Sequence, residues 1–437
     1  MENEFKDTEI GKIPVDWEIG ELKDLANITM GQSPPSKTYN ECGEGLPFFQ
    51  GRKDFGLKYP TVTMWCNEPK KTAEKGDVLI SVRAPVGDIN MSIQKCCIGR
   101  GLASLTHKVL DDNEFLYYLM KESEKRLVGM YEGTGTVFSA VTKNDLTTFT
   151  IPFPPLEEQQ KIAQILSSID DKIENNNQQN KILEETANSI FKEWFVDFNF
   201  LNEDGLSYLE NGGEMEFNED LGSEIPKDWK VGKLRDVVDY YIGGGWGKEE
   251  KENDFPQDAF VIRGTDIPNA RYGGIKDIPL RYHKESNYAS RTIKPFDIVL
   301  EVSGGSKGQP VGRSLMILPE LLNQLDNKLI CASFCKLMRL KDIISPYYVD
   351  LFIKDLYSTE KIMLYQQQST GISNFKFEFF LDDVNVIIPN ERIKEQFNDI
   401  LKDIYSKIGQ NGIQSQILAK KRDLLLPKLM NGEIRLK

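Results

Sequence analysis

This chain of 437 residues is poor in the side chains that most often do chemistry. It has two histidines, His107 and His283, and six cysteines, Cys42, Cys66, Cys96, Cys97, Cys331 and Cys335. No two cysteines form a C-x-x-C pair, and a zinc site takes about four ligands, so no metal is expected. The cysteines read as free thiols in a reducing cytoplasm. Two histidines leave Ser-His-Asp catalysis without support, and the abundant carboxylates single out no catalytic pair. No apolar run reaches about 18 residues, so no membrane span is expected. The opening Met1-Glu2-Asn3-Glu4-Phe5-Lys6 is acidic and polar and lacks the basic and apolar stretches of a signal peptide. There is no P-loop, no G-x-G-x-x-G in a βαβ unit, and no Asn/Asp-Pro-Pro-Tyr/Phe tetrapeptide of an AdoMet-dependent amino-methyltransferase. Catalytic residues: none; cofactor bound by this chain: none.

Positive charge is also in short supply. The net charge is −13, which argues against nucleic-acid binding until its distribution is considered. Residues 157–224 hold 17 Asp/Glu against 4 Lys/Arg, so the rest of the chain sums to zero. Asn199 to Glu224 alone carries eight acids and no base. Local patches, not the total, decide attraction to phosphate, and a partner could supply further positive charge.

What is present is a repeat. Ile13-Pro14-Val15-Asp16-Trp17-Glu18-Ile19-Gly20-Glu21-Leu22 returns 212 residues later as Ile225-Pro226-Lys227-Asp228-Trp229-Lys230-Val231-Gly232-Lys233-Leu234. Lys172-Ile173, Asn176 and Ile182-Leu183 return as Lys407-Ile408, Asn411 and Ile417-Leu418 at an offset of 235. The period is that of a domain, not of a solenoid unit, and the second copy is longer by 23 residues in its middle. Each Ile-Pro-x-Asp-Trp opening reads as a structural plug, with Pro fixing φ and Trp burying a large apolar surface.

Residues 1–155 read as one mixed α/β unit and 223–391 as its second copy, with 199–222 as an acidic linker between. A seam of alternating four- and three-residue steps runs through Ile162, Leu166, Ile169, Ile173, Asn176, Asn180 and Leu183, in a helix expected from Leu156 to Phe195 within a segment 156–198. The offset puts the same seam on Ile404, Ile408, Asn411, Ser415 and Leu418, in a final segment 392–437. Matched seams in one chain most simply pack antiparallel. The expected fold is therefore α/β (α+β): two globular domains joined by two long antiparallel coiled-coil helices, with an internal pseudo-two-fold repeat. Asn176, Asn180, Asn411 and Ser415 form a polar layer that either fixes register or is solvated at the helix surface. Gly409 and Gly412 are expected to weaken the second helix, and Pro427 to end or kink it near residue 423.

The loops supply candidates for DNA contact, each set against a plain structural turn. A glycine turn opens each unit, with Gly31, Gln32, Ser33 and Lys37 in the first and Gly245 and Lys248 in the second. Phe48–Phe55 aligns without a gap on Phe260–Ile267 and offers Gln50, Arg52 and Lys53 against Arg263 and Thr265. Arg reads guanine and Gln reads adenine through paired hydrogen bonds. Runs beginning Gly76-Asp77-Val78 and Phe296-Asp297-Ile298 end in loops carrying Arg83 and Ser306, Lys307 and Gln309. Late segments offer Thr134 and Thr136, and Gln367, Ser369, Thr370 and Asn374, whose hydroxyl and amide groups suit phosphate contact.

These motifs, in this order, resemble the specificity subunit of a type I restriction-modification system. Its carriers are the Ile-Pro-x-Asp-Trp starts, Phe-Phe-Gln-Gly, Ile-Arg-Gly-Thr-Asp-Ile and Gly-Asp-Val-Leu-Ile-Ser. They continue with Pro155-Leu156-Glu157-Glu158-Gln159-Gln160-Lys161-Ile162 and the closing Leu425-Leu426-Pro427-Lys428-Leu429-Met430-Asn431-Gly432-Glu433-Ile434. The resemblance implies two target-recognition domains, each reading half of a bipartite double-stranded DNA site, and helices that set the unread spacer. It implies two methyltransferase subunits as partners, carrying AdoMet for adenine methylation. It also implies motor-nuclease subunits carrying ATP and Mg for restriction. From another class, a coiled-coil scaffold with two protein-binding heads would also explain the repeat.

Overall fold

The computed structural model describes residues 4–130, 140–202, 204–304, 309–369 and 372–436. The chain folds as two compact units, Met1–Asp171 with Leu418–Lys437, and Lys172–Ile417. These divisions fall inside the two long helices, Leu156–Phe195 and Glu391–Met430, not at 155 or 391 where the sequence pattern placed domain ends. Each unit takes part of each helix as a wall of its own core.

In the first unit a four-stranded antiparallel sheet runs in the order Ala26–Met30, Leu102–His107, Val78–Ser81, Ile89–Met91. In the second unit the order is Val238–Gly243, Cys335–Leu340, Ile298–Glu301, Ser314–Met316. A second sheet in each pairs one strand in parallel, Leu46–Phe49 with Cys96–Ile98 and Gln257–Ile262 with Leu329–Cys331. The central strands are fully buried, which is why their residues 78–80 and 298–300 read as continuous apolar runs with little alternation. Most of the second copy's extra length falls between Ile298 and Cys335, where a helix, Pro319–Gln324, is added.

Three expectations need correction. The acidic linker is not a bare connector. Its Met215–Asn218 pairs with Ser223–Pro226, as Phe5–Thr8 pairs with Gly11–Pro14, so the second unit begins inside it. Pro427 does not end the helix near 423, and helix continues to Met430. Proline removes one donor close to the helix end, whereas Leu429 and Met430 are buried in the first unit's core, and Gly432 at φ +72° closes the turn. Gly409 and Gly412 serve close packing. A Cβ on Gly412 would lie 2.4 Å from the Tyr272 carbonyl oxygen, and one on Gly409 would lie 3.0 Å from Glu320.

Within each unit the two helices run antiparallel. In the second, Asn176 Nδ2 donates to Gln414 Oε1 at 3.0 Å and Ser415 Oγ at 3.2 Å, and Asn411 Nδ2 donates to Asn180 Oδ1 at 2.9 Å. Asn176, Asn180 and Asn411 are buried, so the polar layer bridges the helices and is not a solvated face. Ile173, Leu183 and Ile404 are half-buried beside it and Ile408 is buried, while Trp194 packs on Phe397 with centroids 5.6 Å apart. In the first unit Ile162 and Leu166 enter the domain core, Ile169 and Leu418 are half-buried, and Arg422 Nη1 meets Asp170 Oδ1 at 2.7 Å.

Both opening tryptophans are buried, and the end of a long helix closes over each by different chemistry. Trp17 Nε1 donates to Glu158 Oε2 at 3.0 Å, and Arg435 clasps both Glu158 and Asp16. Burial pushes the Glu158 carboxyl up, but bonds from Arg435, the Leu436 N–H and Trp17 outweigh it and leave it below the usual range. Trp229 instead stacks on Phe200 at 4.9 Å and packs on Phe195 at 5.5 Å. Its Nε1 has no hydrogen-bond partner among the described residues.

Candidate nucleic-acid interface

One end of each unit is built on the same backbone hydrogen bonds. In the first unit, Gly31 N donates to Leu102 O, Gln32 N to Ile98 O, Gly99 N to Phe49 O, Leu102 N to Gly99 O and Val82 N to Gly101 O. In the second, Gly244 N donates to Cys335 O, Gly245 N to Cys331 O, Ala332 N to Ile262 O, Cys335 N to Ala332 O and Val302 N to Phe334 O. All ten are 2.8–3.0 Å long. This frame explains the glycine turns. A Cβ on Gly31 would stand 2.1 Å from Gly99 O, and one on Gly244 would stand 2.1 Å from Ala332 O, so only glycine fits either place.

The frame also corrects the gapless alignment of the two units. Asp54 and Asp266 occupy equal places, each accepting the backbone N–H that starts its turn, from Gln50 and Gly51 in one and Arg263 in the other. On the strand side, however, Phe49 matches Ile262, since each pairs with the last residue of the parallel strand beside it. The first unit therefore holds one more residue between strand and turn.

Around the first frame the structure gathers Gln32, Ser33, Gln50, Arg52, Lys53 and Arg83. Gln32, Arg52, Lys53 and Arg83 are exposed. Ser33 Oγ accepts from Arg100 N at 3.2 Å, and Gln50 is half-buried beside Met64. Arg52 Nε lies 3.2 Å from Asp88, a pair exposed enough to rearrange. Lys37 is exposed on the separate turn Ser36–Thr38.

In the second unit Arg263, Thr265 and Gln309 line one cleft. Arg263 is less free than the sequence suggested. Its Nε and Nη2 hold both Asp266 oxygens at 2.8 and 2.7 Å, and Nη2 also donates to Asp277 O. Gly245 is half-buried in its turn. Lys248 is exposed on a different edge, its backbone paired with Tyr282 and its ammonium 3.6 Å from Glu252. Gln367 and Asn374 face each other on a hairpin, Gln366–Ser369 with Ile372–Phe375, in which Ser369 pairs with Ile372. That hairpin joins Ser303–Gly304, and Asn374 Oδ1 accepts from Ser303 Oγ at 2.9 Å. Thr134, Thr136, Ser306, Lys307 and Thr370 lie outside the described residues.

No His/Cys/Asp/Glu group suited to a metal occurs among the described residues. The buried thiols are poor nucleophiles, since burial pushes Cys96 up to about 11 and Cys97 and Cys331 up to about 12. No helix of the described residues is long and apolar enough to cross a membrane.

Residues 14–185 match the family model described as the Type I restriction modification DNA specificity domain. The MjaIX type I restriction enzyme specificity subunit of Methanocaldococcus jannaschii is 28% identical over 449 aligned residues, covering 99% of this chain and 97% of that one. The chain is thus similar to type I restriction enzyme specificity subunits, and its residues 14–185 match their DNA specificity domain. A protein of the same organism named for the MjaX specificity subunit is 47% identical over 189 residues, which is 43% of this chain and 44% of the relative's length. The solved S subunit from M. genitalium has a TM-score of 0.56 at 17% identity, covering 98% of this chain and 99% of that one, and so shares the fold.

Sequence reasoning missed four side chains around these two frames. Arg100 is exposed at the tip of the Gly99–Leu102 turn, where a Gly-Arg-Gly run between two strands is the signal. Phe334, at the matching turn of the second unit, is 61% exposed. Trp246 and Arg313 line the cleft with it. A lone aromatic or Arg next to a strand gives no sequence pattern that separates core from ligand surface.

Proposed function

We propose that this chain is the non-catalytic, sequence-specific DNA-recognition subunit of a type I restriction-modification complex. Each unit reads one half of a bipartite double-stranded site. The long helices set the unread spacer and dock two methyltransferase subunits, which carry AdoMet for adenine methylation. Motor-nuclease subunits carrying ATP and Mg complete the restriction form.

The observation that carries this reading is the single backbone frame occurring twice with different side chains upon it. Gln32 stands where the second unit has Gly245, Arg100 where it has Ser333, and Gly101 where it has Phe334. A shared frame with changed tips suits one kind of task performed on two different base sequences, since base-edge contacts specify while the frame only positions. Exposed Gln and Arg at the tips are the groups that read adenine and guanine in the major groove. The relatives' names support the same reading.

The test is to map methylated adenines across a genome expressing the methyltransferase partner with and without this chain. The expected result is a bipartite motif that appears only when the chain is present. Methylation without such a motif overturns the reading. Replacing 1–155 by the corresponding segment of another specificity subunit should then change one half of the motif only.

A further inference from the structure

The two frames differ most at one backbone position. Val82 N bonds to Gly101 O in the first unit as Val302 N bonds to Phe334 O in the second. Gly101 could carry no side chain, because a Cβ there would lie 2.2 Å from Gln50 O. Phe334 occupies the matching place with its ring 61% exposed at the tip of a tight turn closed by Cys335 N to Ala332 O. A large apolar ring held in water is unfavourable in proportion to the area left uncovered, so a partner that covers it gains that contribution.

Beside the ring lies a cleft of about 690 Å³. Trp246, 40% exposed, stands on its wall, and Arg281 covers the indole with its guanidinium carbon 4.9 Å from the ring centroid. Glu301 and Arg313 also line the cleft. Glu301 is almost fully buried, and its carboxylate takes two bonds from Arg313, Nε at 2.8 Å and Nη2 at 2.6 Å. Gly264 leaves room for that carboxylate, since a Cβ would stand 2.5 Å from Oε1. Arg313 is thereby fixed in position, and its Nη1 makes no hydrogen bond among the described residues. Aromatic walls beside a fixed donor edge suit a flat, hydrogen-bonding ring better than an aliphatic chain or a phosphate alone.

We propose that Phe334 is a wedge that unstacks a base step in the half-site read by the second unit, and that the adjoining cleft takes the displaced nucleobase between Trp246 and Phe334, with Arg313 bonding its edge. Apolar side chains inserted between base steps unstack them in this way, and an aromatic platform accepts any base face. The first unit has no place for such a wedge and reads its half through Gln32, Gln50 and Arg100. The inference rests on the DNA-recognition reading above and names how one of the two sites performs it.

The test uses the full chain assembled with the methyltransferase subunits of its complex, on a natural duplex carrying the site found by methylation mapping. Permanganate reports unstacked pyrimidines and diethyl pyrocarbonate unstacked purines. The expected result is hyper-reactivity at one step of the second unit's half-site, lost with Phe334→Ala and kept with Phe334→Tyr. Phe334→Ala should also weaken binding to the full site about tenfold or more, and leave unchanged the binding to a duplex whose second half-site is scrambled. If the wild-type complex methylates its bipartite site but shows no hyper-reactive base in that half, or if Phe334→Ala keeps the hyper-reactivity, the wedge is overturned and the reading stands. If no bipartite site is methylated at all, the reading itself fails.

Discussion

The two units hold one contact in exchanged form. In the first, Tyr118 on the domain's helix Glu114–Gly129 donates to Asp170 on the first long helix at 2.6 Å. In the second, the carboxylate sits on the domain's helix Pro346–Ser358, as Asp350, and the phenol sits on the second long helix, as Tyr405, at 3.1 Å. Residues 170 and 405 are repeat partners at the offset of 235, and 118 and 350 hold the fifth place in their helices. The contact between domain and helix is thus kept while both residue identities change. Arg422 neutralises the carboxylate in one, and Lys354, at 2.8 Å, in the other. What lasts through divergence is a paired buried charge at that junction, because an unpaired one there is costly.

The largest effect should come from breaking this exchanged contact. Asp350 is fully buried and also accepts from Met316 N. Asp350→Ala should cost about 3–5 kcal/mol by removing the acceptor of Tyr405 and Met316 N and leaving Lys354 only its longer 3.8 Å contact to Glu184, read as a lower urea midpoint. Asp170→Ala should cost less, because Arg422 keeps Asp423 at 2.7 Å as a second partner. Equal losses would break the comparison.

Next come the frame glycines. Gly31→Ala and Gly244→Ala each force a carbonyl aside, and overpacking of this kind costs about 1–3 kcal/mol. On the DNA-recognition reading, each should degrade methylation by blurring one half of the motif, a different half for each variant. Blurring of both halves by either variant would show that the frames do not act separately.

The polar layer should respond at a similar or smaller level. Asn411→Ala leaves buried Asn180 Oδ1 without its donor, a loss of about 1–3 kcal/mol measurable by thermal unfolding. Gln178→Ala, at an exposed position near Asn180 on the first long helix, should change stability by less than about 0.5 kcal/mol.

Acidification should give the smallest effect. Burial lowers the pKa of both His107 and His283. A bond to Gln159 partly opposes this at His107, and the charge of Arg291 adds to it at His283. A depressed folded pKa means the unfolded chain takes up the proton first, so this stability is complete above about pH 6.5 and declines as pH falls below that. The decline at each histidine should fall below the losses from the substitutions above. Hydrogen exchange at pH 7.5 and 5.5 should show greater loosening around His283 than around His107, and the reverse would contradict the assigned surroundings.

Much of the frame was legible in the sequence, and the reason is visible in particular residues. Ile-Pro-x-Asp-Trp recurs because Trp17 and Trp229 fill equivalent buried places, and burial leaves little freedom of choice. The seam through Ile173, Asn176 and Leu183 is readable because helical packing has a fixed period. The candidate loops were harder. Arg263 and Lys248 look alike as cations beside glycine, yet one is locked to Asp266 and lines the cleft while the other sits on a separate edge. Phe334 was missed because an aromatic next to a strand is usually core.

The sequence by itself determined that the chain is a domain-sized duplication with two seamed helices and a localised acidic segment. Those properties follow from local periodicity and from residue types, which need no knowledge of distant neighbours. Only the tertiary structure decided that the acidic segment contributes a strand to the second unit, that helix continues past Pro427, and that the two frames share one set of backbone bonds with a one-residue slip. Those outcomes depend on backbone groups and buried side chains brought together from far along the chain, where packing outweighs local propensity.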